Sequence, residues 1–141
     1  MKRKIAGLLL ALFFLSFTVP LIEKQQPRKA MQDSPLSRGK KVYTNVCLAC
    51  HMADGAGVQN MNPPLIKTTY VLGDKAALIK IVLNGFNEDV QINGQSYSNT
   101  MTAHSDLSDQ QIADVLTYVR NSFGNNASAI TVAEVIRARH G

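Results

Sequence analysis

The sequence predicts an all-α domain, on three observations. Helix-start signatures recur just ahead of apolar residues at helical spacing, no segment is strand-rich, and the one strand signal is an Asn-Gly turn between three-residue arms. The first helix starts where Asp33/Ser34 supplies an N-cap oxygen and Pro35 occupies the first turn. It is expected to run to about Cys47, with Leu36, the stem of Lys40, Tyr43 and Val46 down its inner side. Residues 52–66, with two Gly and two Pro, read as a loop. Asp74 then caps a helix carrying Leu78, Ile79, Ile81 and Val82, stopped by Asn84-Gly85. Asn93-Gly94 within 90–97 signals a type I′ hairpin with minimal pairing. The last long helix has a capping box, Ser108 with Gln111, and a staple pair, Leu107 with Ile112. Its stripe of Ile112, Val115, Leu116, Val119 and Phe123 is expected to end at Gly124. A second capping box, Thr131 with Glu134, opens a short terminal helix through about Arg139.

The charge is distributed unevenly along the 141 residues. The formal net charge of +5 is carried by residues 1–31, where six basic residues face only Glu23; beyond them nine basic and nine acidic residues cancel. A nucleic-acid-binding domain needs a concentrated basic face, and no basic cluster in the domain exceeds 38–41, which excludes that class. The basic residues mark an export leader instead. Lys2-Arg3-Lys4 precede a charge-free apolar run over 5–22, whose length fits either a cleaved signal peptide or a membrane anchor. The expected organisation is therefore a signal peptide or anchor over 1–22, a polar linker over 23–33 and one domain over 34–141.

Both cysteines fall in one motif, Cys47-Leu48-Ala49-Cys50-His51. A thioredoxin-like dithiol would need a βαβ context, and zinc would need two further ligands, for which His104 and His140 have the wrong spacing. Cys-x-x-Cys-His is the requirement for attaching c-type haem: each thiol forms a thioether and the adjacent His51 reaches the iron. The group would also supply core to a small domain that has six aromatic residues over 34–141 and no Trp.

A six-coordinate haem needs a second axial ligand, usually Met or His. The candidates are Met52, Met61, Met101, His104 and His140. Met52 is too close to His51 to reach the other face, Met61 lies in the loop covering the proximal side, and His140 is at the chain end. Met101 stands alone as an apolar residue in the polar run 98–102, fifty residues after His51, and is the first choice; His104 is the runner-up.

The motif at 47–51, the Asn62-Pro63-Pro64-Leu65 segment, the hairpin at 92–97, Met101 followed by Leu107-Ser108-Asp109, and the stretch 115–125 together resemble class I, mitochondrial-type cytochrome c. They are most similar to the bacterial monohaem domains that accompany quinoprotein dehydrogenases and oxidases. The resemblance covers about residues 34–139 and implies a fold with crossed N- and C-terminal helices built around one covalent haem c. It implies His51 and Met101 as iron ligands and Cys47 and Cys50 as attachment points. By the same resemblance Pro63 supplies the carbonyl that accepts the His51 Nδ1–H bond, Gly39 and Tyr43 sit where α-helices cross near Val115 and Tyr118, and Tyr97 lies near the haem on the Met side. There are two departures: Thr102 replaces the proline that usually follows the ligand methionine, predicting a less rigid loop, and Met52 stands where many relatives have Gly, predicting crowding near the thioethers.

The function expected is single-electron transfer by an exported, periplasmic, non-enzymatic haem protein. Its donor and acceptor are transiently bound redox proteins, a dehydrogenase and a respiratory acceptor being implied by the resemblance alone, and its membrane contact is confined to the N-terminal segment. A neutral domain predicts docking only mildly sensitive to salt. The alternative class is a haem-based sensor or gas-ligand-binding protein with a displaceable Met101.

Overall fold

The computed structural model describes residues 34–141, so the leader and linker expected over 1–33 lie outside the described residues. Helix α1, Pro35–Val42, is capped by Ser34, whose hydroxyl accepts the Ser37 N–H at 3.1 Å. The helix does not stop near Cys47 as expected. It continues through a π-helical turn, Tyr43–Cys47, into α2, Leu48–His51. The remaining elements are α3 (Thr69–Leu72), α4 (Lys75–Asn84), β1 (Val90–Ile92), β2 (Gln95–Tyr97), α5 (Asp109–Arg120) and α6 (Val132–His140). Among the described residues the one sheet is the β1–β2 hairpin, with Asn93 and Gly94 at φ +53° and +78°, as a type I′ turn requires. The turn α3, capped by the Thr68 hydroxyl, gave no signal in the sequence because four residues are too few to show a period.

The domain is organised by the crossing of α1 and α5. Gly39 is buried at that crossing, and a Cβ placed there would strike the Asp114 carbonyl and come within 2.7 Å of Tyr118 Cβ. The inner face of α1 is therefore Gly39 and Tyr43, and the expected face is corrected: Lys40 is exposed and Leu36 is 46% exposed. A contact at backbone distance selects for the absence of a side chain, which apolar periodicity cannot register. Beside it, Arg38 makes a two-pronged bond to Asp114, Nε to Oδ2 at 2.6 Å and Nη2 to Oδ1 at 2.8 Å, and Gln110 adds a third donor at 3.0 Å. Asp114 is only 3% exposed, and these donors fill the acceptor sites that burial removes from water.

Both capping boxes form as read, Ser108 with Gln111 on α5 and Thr131 with Glu134 on α6. Ile112, Val115, Leu116 and Val119 are buried, but α5 ends at Arg120 rather than at Gly124. The Asn125 side chain takes the Val119 carbonyl at 2.8 Å, which halts the helix. Phe123 thus lies past its end at φ +58° and packs on Tyr43 and Tyr118, with ring centroids 5.3 and 5.7 Å away. Helix α6 seals α4 and α5 with Val135 fully buried, and Lys75–Glu134 and Arg139–Asp109 ion pairs flank it. Among the described residues no helix is long and apolar enough to cross a membrane.

Gly39→Ala is expected to destabilise the domain by about 3 kcal/mol, because the obstacle is backbone that cannot rotate away. Thermal unfolding should register that as a fall of roughly 13 °C. Glu134 provides a pH test. The Thr131 N–H, then Lys75 and the Thr131 hydroxyl, hold its carboxyl at about 2, against a usual 4.5. A depressed folded-state value adds stability that is complete above the unfolded value and is lost as pH falls from about 4.5 to about 2. Denaturant midpoints measured across that window should fall less steeply in Glu134→Gln than in the wild type.

Candidate functional site

The π-helical turn is the first device that builds the site. Its extra residue, closed by the Leu48 N–H bonding to the Tyr43 carbonyl, turns every later side chain by ~100° relative to a plain α-helix. Tyr43 thereby stays on the core face while Cys47, Cys50 and His51 come round to a cleft of about 270 Å³. The Tyr43 hydroxyl donates to the Met52 carbonyl at 2.7 Å and closes the end of α2. Burial, reinforced by Cys47, pushes the Tyr43 hydroxyl well above its ordinary range, so it stays protonated and keeps donating.

The cleft is mainly apolar, walled by side chains such as Val71, Leu78, Val82, Val115, Leu116 and Val119. Pro63 and Tyr97 also line it, Tyr97 buried on β2 opposite Val90. Of the five residues considered as second axial ligand, only Met101 and His104 line the cleft. Met52 and Met61 are exposed, and His140 is exposed at the end of α6.

His51 Nδ1 lies 3.1 Å from the Pro63 carbonyl oxygen. A carbonyl only accepts, so Nδ1 carries the proton and Nε2 keeps its lone pair. Burial lowers the His51 pKa, outweighing the Pro63 bond that raises it, and His104 lowers it further. The imidazole is thus held neutral, the form that ligates a metal. Cys47 and Cys50 are free thiols; burial, with a contribution from Cys50, pushes Cys47 up to about 11.

Two of the competing readings of the motif lose their support here. No group of three or more His, Cys, Asp and Glu side chains able to hold a metal gathers among the described residues, so a zinc site has no ligand set. Among the described residues the βαβ unit of a thioredoxin-like dithiol is absent, the two strands being neighbours in one hairpin. What converges instead is two unpaired thiols, a neutral imidazole with its lone pair free and a thioether sulfur, around an apolar cleft. That donor set and that lining fit a haem attached through two thioethers.

The Cytochrome c family profile matches residues 36–123. The chain belongs to the cytochrome c family. Membership, with the two-cysteine motif at Cys47 and Cys50, implies haem c held covalently. It is 35% identical over 100 residues to the cytochrome c subunit of alcohol dehydrogenase (quinone) from Gluconobacter oxydans (strain 621H), an alignment covering 70% of this chain and 21% of that protein. To the cytochrome c subunit of gluconate 2-dehydrogenase from Pantoea cypripedii it is 36% identical over 99 residues, 68% of this chain and 22% of that subunit. With cytochrome c-552 of Thermus thermophilus it shares 29% identity over 91 residues, 62% of this chain and 69% of the relative. The chain thus spans about a fifth of the length of the dehydrogenase subunits it matches.

The residues that hold the two walls of this cytochrome cleft were not singled out in the sequence for that role. On the Pro63 side, Asn125 is buried and binds three backbone groups, accepting from Lys67 N–H at 2.7 Å and donating to the Leu65 and Val119 carbonyls. Gly57 allows the backbone of Pro63 to approach, since a Cβ there would lie 2.7 Å from the Pro63 carbonyl oxygen. On the other side, Met101 exchanges two backbone bonds with Phe86, at 2.9 and 2.7 Å, and the Val82 carbonyl takes the His104 N–H at 2.9 Å. The backbone is thus pinned at Met101, one residue before Thr102. Asn99 donates to Asn62 at 3.0 Å and links the two walls. The glycines of 52–66 hinted at the tight loop; nothing local marks Asn125 or Phe86, whose partners are remote in sequence.

Met52 also differs from expectation. It is 43% exposed and stays out of the cleft, so it crowds nothing there; its peculiarity is a backbone at φ 63°, ψ 166°. That region is essentially reserved for glycine and costs of order 1–3 kcal/mol for any other residue. Met52→Gly is therefore expected to raise stability by about 1 kcal/mol after glycine's own entropy cost, read from denaturant unfolding.

Proposed function

We propose that this protein is an exported carrier of single electrons, working between a periplasmic dehydrogenase donor and a respiratory acceptor. The observation that carries the proposal is the convergence of Cys47, Cys50, His51 and Met101 on one apolar cleft. Haem c supplies there a one-electron Fe(III)/Fe(II) couple. Cys47 and Cys50 would hold the group through thioethers, and His51 Nε2 and the Met101 sulfur would ligate its iron. Pro63 orients the His51 ring through Nδ1, and Tyr97 lines the same cleft. The apolar wall excludes water, which favours the less charged reduced iron and raises the potential.

The two backbone bonds between Met101 and Phe86 favour a fixed sixth ligand, and with it a carrier, over a sensor with an open position. The name of the alcohol dehydrogenase relative includes quinone, and both dehydrogenase relatives are cytochrome c subunits; together these support a dehydrogenase as the donor. The basic, apolar N-terminal residues support export, either cleaved or anchored through residues 5–22.

The absorption spectrum tests the reading. The oxidised protein should be low-spin with the weak band of a Met–iron bond, and Met101→Ala should abolish that band and yield a form that binds CO when reduced. A wild-type protein that is high-spin and binds CO readily would overturn the carrier in favour of the sensor.

A further inference from the structure

Helix α6 lies beyond residue 123, where the match to the cytochrome c family ends, yet it reaches the wall that carries Met101. Arg139, near its end, sends its guanidinium to three places on one segment. Nη1 donates to the Ser105 carbonyl at 2.9 Å, Nη2 to the Leu107 carbonyl at 2.7 Å, and Nε to the Asp109 carboxylate at 2.7 Å. Those acceptors directly follow Met101 and His104, and the Leu107 N–H returns to the His104 carbonyl at 3.2 Å. The segment 101–107 is therefore held at three points: Met101 by Phe86, His104 by the Val82 carbonyl, and its far end by Arg139.

We propose that Arg139 is a positioning residue for the sixth ligand, an anchor supplied from outside the family's matched core that sets how readily Met101 leaves the iron. The proposal rests on Met101 being that ligand. A shift of the backbone of 101–107 would withdraw the sulfur, and the first restraint on that shift is the Phe86 bridge. A segment hinged at Phe86 swings unless its other end is tied. Thr102 leaves the backbone free to do so where a proline would have stiffened it. A charged planar donor on the Ser105 and Leu107 carbonyls and a carboxylate is a strong tie, because each bond is charge-assisted and the fork geometry is fixed. Without it the open fraction rises, and the apparent affinity for any external ligand competing with Met101 rises by the same factor.

The test titrates the oxidised, haem-loaded protein with imidazole and follows the loss of the Met–iron band. Arg139→Ala should bind imidazole about tenfold more tightly than the wild type, and Arg139→Lys, which keeps the charge but not the fork, should fall between them. Glu134→Ala is the control for general loosening, since it breaks the α6 capping box and the Lys75 pair without touching 101–107. It should change imidazole affinity less than twofold. Wild-type affinity in Arg139→Ala, or an equal gain in Glu134→Ala, would overturn the proposal. Met101→Ala separates the two levels. If it leaves the band and the imidazole affinity unchanged, the ligand assignment falls and Arg139's role with it; if it opens the site while Arg139→Ala does not, only the Arg139 anchor falls.

Discussion

The close crossing of α1 and α5 at Gly39 is the constraint on which the other elements depend. With no side chain between the Gly39 Cα and the Asp114 carbonyl, the helices approach until Arg38 can straddle Asp114. That approach fixes where Tyr43 enters the core, and Tyr43 in turn fixes the phase of the π-helical turn and the end of α2. The cysteines and His51 inherit their positions from this chain of contacts. A wider crossing would move the start of the cleft before it moved anything in the cleft itself.

The loops that complete the cleft are held by a different kind of force. Apolar packing places helices well but grips irregular backbone poorly, because loop carbonyls and amides need polar partners wherever water is excluded. Here a few side chains meet that need: Asn125 for the loop after Pro63, Arg120 for the Val71, Gly73 and Ser128 carbonyls, and Arg139 for 105–107. Arg120 is buried at the end of α5, where its charge also complements the helix's negative pole.

What could be read from the sequence is what is local. The caps at Ser34, Asp74, Ser108 and Thr131 join residues three apart, and the structure shows each side chain bonding where the spacing placed it. The Cys47–His51 motif is legible because its chemistry demands adjacent residues. Asn93-Gly94 is legible because two successive positive φ angles leave few other choices. The failures share a cause. Leu36 fitted an apolar stripe but faces solvent, since the true inner face is marked by a glycine. The stripe of α5 was extended to Phe123 because the residue that stops the helix, Asn125, acts from beyond it. The π-helical turn follows from no local preference at all.

The Arg38–Asp114 pair joins residues 76 positions apart, so the crossing encloses most of the domain in one loop. Bringing such distant ends together costs about 4 kcal/mol of chain entropy before any contact repays it. Both cysteines, His51 and Met101 lie inside that loop. Docking α1 against α5 is therefore a non-local contact of the kind that slows folding. A covalent bridge between the middle of the chain and its first helix would shorten the loop that remains to be closed. On the proposed ligation, a cofactor attached at Cys47 and Cys50 and held by Met101 would be such a bridge, a kinetic shortcut as well as the source of the protein's chemistry.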